Sequence, residues 1–511
     1  MRVKSSALNI FSNVSILIIQ TILLLVVRII FINNLGIEYL GLQNLLVNIM
    51  SMLSLTELGI AYAISFSLYK PLADKDHLQV SKIISLYKKI YFGIGIGISV
   101  FGIMMLPFLD YLIVDYTVEH LEIIFLIYLI TLVSGYFISY KEILISADQK
   151  GYKLLFFNLF RIILTYSIQI VVLLLTKSFI YFILVELIIY LIRRFAVNSY
   201  IKNYYKEIDF KCKEKLKKDE LKKITKNVKY LFCNKIGIFL LDGTDNIIIS
   251  SIIGLASVGI YANYLSIVSI LKNLLNSFIN GITSSFGNLV TENNRDSQYV
   301  VFKIMNLITF AFVGMCSVGM FNIFNPFIKF LFGEEYIFSQ VIVIVIVFNF
   351  FLSSVTIPLE SVKNANGYYK KNRYLSLIQA IINLFISILF GIKFGIIGVF
   401  LGTTISYILT TSWKLPYNIY KYIFNVNPFM YYINFVKEMS LILISIVLSN
   451  LIYLLFDISS LLLNIIIGGI LSVVTYAAIF ILFHFKTLEF KEAINNFFNL
   501  RRILNEKDSV N

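Results

Sequence analysis

The sequence predicts an all-α integral membrane protein of about fourteen transmembrane helices, arranged as two six-helix lobes related by a parallel pseudo-repeat plus two C-terminal helices. Three observations carry this. The 511 residues are 58% hydrophobic and 14% charged, against about 25% charged in an average soluble domain. The apolar runs are continuous over spanning length, whereas the strands of a membrane barrel would alternate polar and apolar residues. Finally, two short patterns of glycine and glutamate recur at one fixed spacing.

Taking the chain in order, apolar runs long enough to cross about 30 Å of hydrocarbon fall at residues 10–32, 40–68, 90–112, 121–147, 154–175, 180–200, 229–252, 259–290, 301–324, 337–362, 373–392, 395–417, 433–455 and 461–484. Arg2 and Lys4 precede the first run and no small-residue cleavage site follows it, so it is expected to be retained as a span. An even number of spans puts both termini on one side. Of the 44 basic residues, three fall in loops expected outside (Lys177, Lys329, Lys393) and four lie deep in spans (Arg28, Arg161, Lys235, Lys272), leaving 37 for the other face, the span ends on that side included. By the orientation rule that face is cytoplasmic. The same rule accounts for the net charge of +15 without nucleic acid. The expected location is a cytoplasmic membrane, with both termini inside.

The polar stretch from Arg193 to Lys229, with KCKEKLKKDELKKITK at its heart, separates six spans from the next eight. The expected organisation is therefore an N-terminal lobe over 1–200, a basic linker over 201–228, a C-terminal lobe over 229–417, and two further helices with a tail over 418–511. The linker reads either as a solvated connection or as a basic segment resting on anionic headgroups. The repeat gives the lobes their relation. Gly36 and Gly41 are echoed by Gly254 and Gly259, and Glu142 and Ala147 by Glu360 and Ala365, every pair shifted by 218 residues. The copies lie six spans apart, an even number, so they share one orientation.

Within the second run, Asn44, Asn48, Ser51, Ser54 and Glu57 recur at three- and four-residue spacing and share one helix face. Lipid does not accept such a face: a carboxylate at the bilayer centre costs about 2.5–3.5 kcal/mol even on insertion scales. The stripe therefore addresses a protein interior or a watery cavity. Further charges fall inside spans: Arg28, Arg161, Glu186, Lys272, and in the seventh run Lys235, Asp242 and Asp245, the last two with Asn246 on one patch. Arg28, Arg161 and Lys235 are near enough to an interface to snorkel, and the aspartates could simply pair with a lysine. Only nine of the 44 basic residues are arginines. Two of them lie inside spans, where a guanidinium fork grips phosphate in a way that an ammonium does not. Arg28, Arg161, Lys272, Asn48 and Asn276 are the candidate substrate-binding residues; Glu57, Asp242, Asp245 and Glu186 are the candidates for ion coupling.

Three cysteines (Cys212, Cys233, Cys316) and three histidines (His77, His120, His484) are scattered, so no metal site, haem or disulfide framework is expected, and no cofactor. No phosphate-cradling G-x-x-x-x-G-K-[ST] loop occurs.

The run GIEYLGLQNLLVNIMSMLSLTELGIAYAISFSLYKPLADKD, taken with the basic linker and the spans, resembles the bacterial polysaccharide repeat-unit flippases of the multidrug/oligosaccharidyl-lipid/polysaccharide exporter superfamily. The resemblance implies two lobes around a cavity that opens alternately to either face. It implies an undecaprenyl-diphosphate-linked oligosaccharide as substrate, moved to the outer leaflet for capsule, O-antigen or exopolysaccharide assembly. The implied partners are this lipid-linked oligosaccharide, membrane lipids and the polysaccharide polymerase and assembly machinery; no enzymatic activity is implied. In related peptidoglycan-precursor flippases, cavity arginines on spans one and eight hold the diphosphate. Arg28 matches the first by span, while the eighth span here offers Lys272. A cation-coupled multidrug exporter shares the fold, and would use the acidic residues instead.

Overall fold

In the computed structural model the described residues are 2–54, 60–113, 118–148, 150–214, 216, 243–291, 295–368, 372, 374–456 and 460–492. Among them there is helix and turn but no strand. The helices are α1 (Arg2–Leu35), α2 (Ile37–Leu53), α3 (Ile60–Ala73), α4 (His77–Met105), α5 (Leu121–Ile138), α6 (Glu142–Ala147), α7 (Leu155–Thr176) and α8 (Phe179–Tyr204). A helix over residues 243–252, α9, follows. The rest are α10 (Leu255–Thr291), α11 (Arg295–Phe332), α12 (Gln340–Ser354), α13 (Ile357–Ala365), α14 (Leu375–Phe394), α15 (Ile396–Leu409), α16 (Thr411–Ile419), α17 (Phe429–Tyr453) and α18 (Leu461–His484).

Ten segments among the described residues are long and apolar enough to span a membrane. The four other expected spans are 10–32, 40–68, 180–200 and 229–252. The first falls within α1, and the second is covered by α2 and α3 with residues 55–59 outside the described set. The third is α8, which carries Glu186, Arg193 and Arg194 along its length. The fourth is described only as α9. Large apolar side chains such as Phe101, Met104, Phe156, Leu175, Phe385 and Leu455 are exposed on the helix surfaces, as expected where hydrocarbon offers no partner to a polar group.

The chain forms two compact units. The first comprises Met1–Ala262, Ser376–Leu384 and Gly391–Val399; the second comprises Asn263–Leu375, Phe385–Phe390 and Phe400–Asn511. In the first unit α7 packs on α1 and α8, and α5 packs on α4, α8 and α2. Asp76 starts α4 by accepting the Gln79 backbone N–H at 2.9 Å, which satisfies one of the orphan donors of the first turn.

The 218-residue repeat is visible as geometry. Gly36 and Gly254 both have positive φ, +90° and +125°, and the helices that follow them begin at Ile37 and Leu255. A side chain would be strained at either position. Five residues on, a Cβ on Gly41 would lie 2.0 Å from the Leu255 carbonyl oxygen, and a Cβ on Gly259 would lie 2.3 Å from the Ile37 carbonyl oxygen. The first turns of α2 and α10 thus cross backbone to backbone, and the contact is reciprocal under the shift that relates the copies. The second pattern also has a structural counterpart: α6 and α13 end at Ala147 and Ala365, again 218 apart.

In the second unit α11 packs on α12, α17 and α18. Asn322 joins three of these helices: its Nδ2 donates to Ser449 Oγ at 2.9 Å and Ser472 Oγ at 2.8 Å, and its Oδ1 accepts from Asn450 Nδ2 at 3.0 Å. Helix association in lipid lacks a hydrophobic drive and uses such bonds, each worth about 0.6 kcal/mol on average and up to about 1.7 kcal/mol. Asn322→Leu is expected to destabilise the protein by about 1–3 kcal/mol through the lost bonds and the stranded hydroxyls. A fall in unfolding temperature in detergent would register this, and an unchanged value would show the bonds to be replaceable.

Candidate functional site

Of the polar face expected on the second span, Asn44 lines a cavity in the first unit, while Asn48, Ser51 and Ser54 do not. Asn44 and Gln43 on α2 face Leu24, Val27 and Arg28 on α1, with Arg161, Thr165, Tyr166 and Gln169 on α7 and Glu186 on α8 completing a space of about 180 Å³. The local reasons are simple. On α7, residues 161, 165, 166 and 169 follow three- and four-residue spacing and so form one stripe, while Ile163, Ile168 and Leu174 are exposed elsewhere on the helix. Thr165 Oγ1 is buried without a partner, leaving a hydroxyl for a ligand or water to satisfy. Gln169 Nε2 donates to the Phe182 carbonyl at 3.2 Å, and Asn44 Nδ2 to that of Leu40 at 2.8 Å.

Arg28 and Arg161 therefore share a wall with Glu186. Arg28 also has a structural task, since its Nη1 donates to the Ala262 carbonyl of α10 at 2.9 Å. Arg161 lies over the Tyr190 ring, 5.1 Å from its centroid, an arrangement that orients a guanidinium without neutralising it.

Two further cavities, each of about 400 Å³, continue from this one. The next shares Arg161 and Ile162 with it and adds Gln20, Asn158, Glu142 and Arg193. The third shares Glu142, Tyr190 and Arg193 with the second and adds Arg194, Ser139 and Ser146. Arg193 grips Glu142 with both prongs, Nη1 to Oε1 at 2.6 Å and Nη2 to Oε2 at 2.9 Å. Arg194 is buried, donates to the Thr131 carbonyl at 2.7 Å and to Ser134 Oγ, and sits 4.2 Å from the Tyr190 centroid. Arg193 and Arg194 open the polar stretch that runs in sequence to Lys229; the structure places both arginines inside α8. The signal that could have found them is Glu142, a carboxylate within the fourth apolar run that needs a cation.

The other candidate residues are distributed as follows. Asn48, half-buried on α2, does not line the cavity. Asp245 is buried on α9 beside Thr244 and Asn246, where Thr244 Oγ1 and Asn383 Oδ1 of α14 lie 3.5 Å apart. Lys272 and Asn276 occupy successive turns of α10 in the second unit, both half-buried. Glu57, Asp242 and Lys235 lie outside the described residues. Among the described residues no cluster of histidine, cysteine and carboxylate could hold a metal.

The family profile described as polysaccharide biosynthesis protein matches residues 72–341, just over half of the sequence. The chain belongs to this family. The member described here has the fold of a group of solved membrane transporters. It is similar to a structure titled lipid II flippase MurJ, inward closed conformation, at TM-score 0.68 and 16% identity, covering 92% of this chain and 99% of that one. It also resembles an inward-facing multidrug resistance MATE family transporter of the MOP superfamily, at TM-score 0.59 and 16% identity, covering 78% and 96%. The Vibrio cholerae MATE transporter VcmN matches at TM-score 0.58 and 13% identity, covering 84% and 99%. No curated protein matches the sequence.

Proposed function

We propose that this polysaccharide biosynthesis protein is a flippase that moves undecaprenyl-diphosphate-linked oligosaccharide repeat units from the inner to the outer leaflet of the bacterial cytoplasmic membrane by alternating access. The observation that carries the reading is the cavity holding both Arg28 and Arg161, where Gln43, Asn44, Thr165, Tyr166, Gln169 and Glu186 supply further polar groups among apolar side chains. A diphosphate with attached sugars would lose hydration worth tens of kcal/mol on entering hydrocarbon, by simple solvation estimates. A wet, cationic recess removes most of that barrier, and Gln43, Asn44 and Tyr166 offer sugars exchangeable hydrogen bonds. The prenyl tail can remain in lipid. The family match and the likeness to a lipid II flippase support the same class of cargo.

Capsule, O-antigen or exopolysaccharide assembly is the proposed pathway, with a polymerase acting on the product outside. A cation-coupled exporter is the second reading, favoured by Glu186 in the cavity and by the MATE likeness. The two arginines beside Glu186 would repel a cationic drug. The deciding measurement is flux of a fluorescent lipid-linked oligosaccharide and of a cationic dye by the purified protein in vesicles. Transport of the dye alone would replace the first reading by the second.

Coupling is proposed to use Asp245 or Glu186, carboxylates on spans that can carry a proton or bind a cation. Asp245→Asn and Glu186→Gln are expected to reduce the dependence of flux on an imposed proton or sodium gradient; unchanged dependence in both would leave them structural. The proposed orientation puts residues 205–214 in the cytoplasm. With native cysteines removed, a cysteine at Lys213 should resist an impermeant thiol reagent in intact cells, and one at Glu119 should react. The reverse pattern would invert the topology.

A further inference from the structure

A separate polar cavity of about 520 Å³ lies at the end of the first unit where the chain leaves α8, and it shares no residue with the three described above. Five lysines line it, Lys88, Lys141, Lys202, Lys206 and Lys211, against one carboxylate, Asp209. That carboxylate is engaged in its own turn, accepting the Lys211 backbone N–H at 2.8 Å. Lys141 is only 7% exposed. Its ammonium lies 4.6 Å from the Phe210 ring centroid and 5.7 Å from that of Tyr140, and it forms no ion pair among the described residues. A buried ammonium among other lysines either sheds its proton or gains a counter-charge, and an anion in this cavity would supply the second. The same cavity contains Asn198, whose Oδ1 is buried with no partner and calls for a donor.

The wall of this cavity is built, not draped. Residues beyond α8, expected as a basic linker either solvated or resting on headgroups, fold back on the unit: Tyr205 Oη donates to Asp148 Oδ2 at 2.6 Å, the Asp209 N–H to Ser81 Oγ at 2.9 Å, and Ser85 Oγ to the Cys212 carbonyl at 2.7 Å.

We propose that this cavity binds a phosphate group with a neighbouring hydroxyl, the chemistry shared by a phosphatidylglycerol headgroup and a soluble glycerol or sugar phosphate. The lysines act as point charges on the phosphate oxygens, Lys141 gains its anion, and the ligand hydroxyl donates to Asn198. Bound there, the anion ties the segment after α8 to α4, through Lys88, and to the turn between α5 and α6, through Lys141.

The test uses the full-length protein, delipidated in neutral detergent and observed by native mass spectrometry. It is titrated with short-chain phosphatidylglycerol or phosphatidylcholine, with and without glycerol 3-phosphate. One phosphatidylglycerol should bind where phosphatidylcholine does not. Lys141→Gln and Lys202→Gln should each weaken it by about tenfold or more, the size of a lost charged hydrogen bond, and Lys213→Gln, exposed and outside the cavity, should leave it unchanged. Competition by glycerol 3-phosphate would assign the site to soluble phosphates, and lack of competition to the headgroup. Equal binding of the two lipids, or unaltered affinity in the lysine variants, would overturn the proposal. Should Lys141→Gln fail to fold, the exposed Lys202→Gln decides alone.

Discussion

Arg28→Lys should transport lipid-linked oligosaccharide about ten- to a hundredfold more slowly than the natural protein at equal expression, the range of one lost charged hydrogen bond of 1.5–3 kcal/mol. Lysine keeps the charge but not the fork. In the structure one prong of Arg28 donates to the Ala262 carbonyl at 2.9 Å while the side chain also lines the cavity. A single ammonium cannot hold a fixed prong toward the backbone and present a second, coplanar one to a phosphate. If Arg28 only snorkelled to headgroups, lysine would serve equally and the variant would be silent. Arg161→Ala removes the second cation of the same cavity and is expected to be at least as damaging. Complementation of polysaccharide export in a strain lacking its flippase reads both. Full export by Arg28→Lys and Arg161→Ala at normal protein levels would end the cationic-cavity proposal.

Alanine at Gly41 or Gly259 is expected to cost about 1–3 kcal/mol of stability each, the usual range for overpacking, because the added methyl meets a backbone carbonyl instead of a side chain that can swing away. The distances, 2.0 Å and 2.3 Å, leave no room without parting α2 from α10. That parting would also draw Ala262 away from Arg28, so transport should fall together with the unfolding temperature. Gly97→Ala on α4 is the control. A Cβ there meets nothing within 4 Å, and helix propensity predicts a gain of up to about 1 kcal/mol. If all three alanine variants unfold at the natural temperature, the close crossing does not exist in the membrane.

Much of this architecture was legible because hydrocarbon is so restrictive a solvent. Apolar runs of spanning length can only be helices, and the polar face through Asn44 could only turn inward. The glycines at 36, 41, 254 and 259 were legible as a repeat, and the crossing they permit explains why the spacing carries information. Other features were not legible. The stretch from Arg193 reads as the start of a linker because local composition does not reveal that Glu142, in another helix, would neutralise its first arginine. Lys141 falls near the end of the fourth apolar run with no partner signalled in the sequence, and only the fold-back of residues 205–212 encloses it.

By itself the sequence determined the helical class, the membrane setting and the repeat, since these follow from what each stretch can do in lipid and from a fixed spacing along the chain. Only the tertiary structure decided that Arg28, Arg161 and Glu186 share one cavity, that Asn48 stands apart from it, and that five lysines converge at the end of α8. Those facts depend on how helices distant in sequence pack against one another. Packing is set by shape and by the pairing of buried polar groups across helices, and neither is written in the periodicity of any single helix.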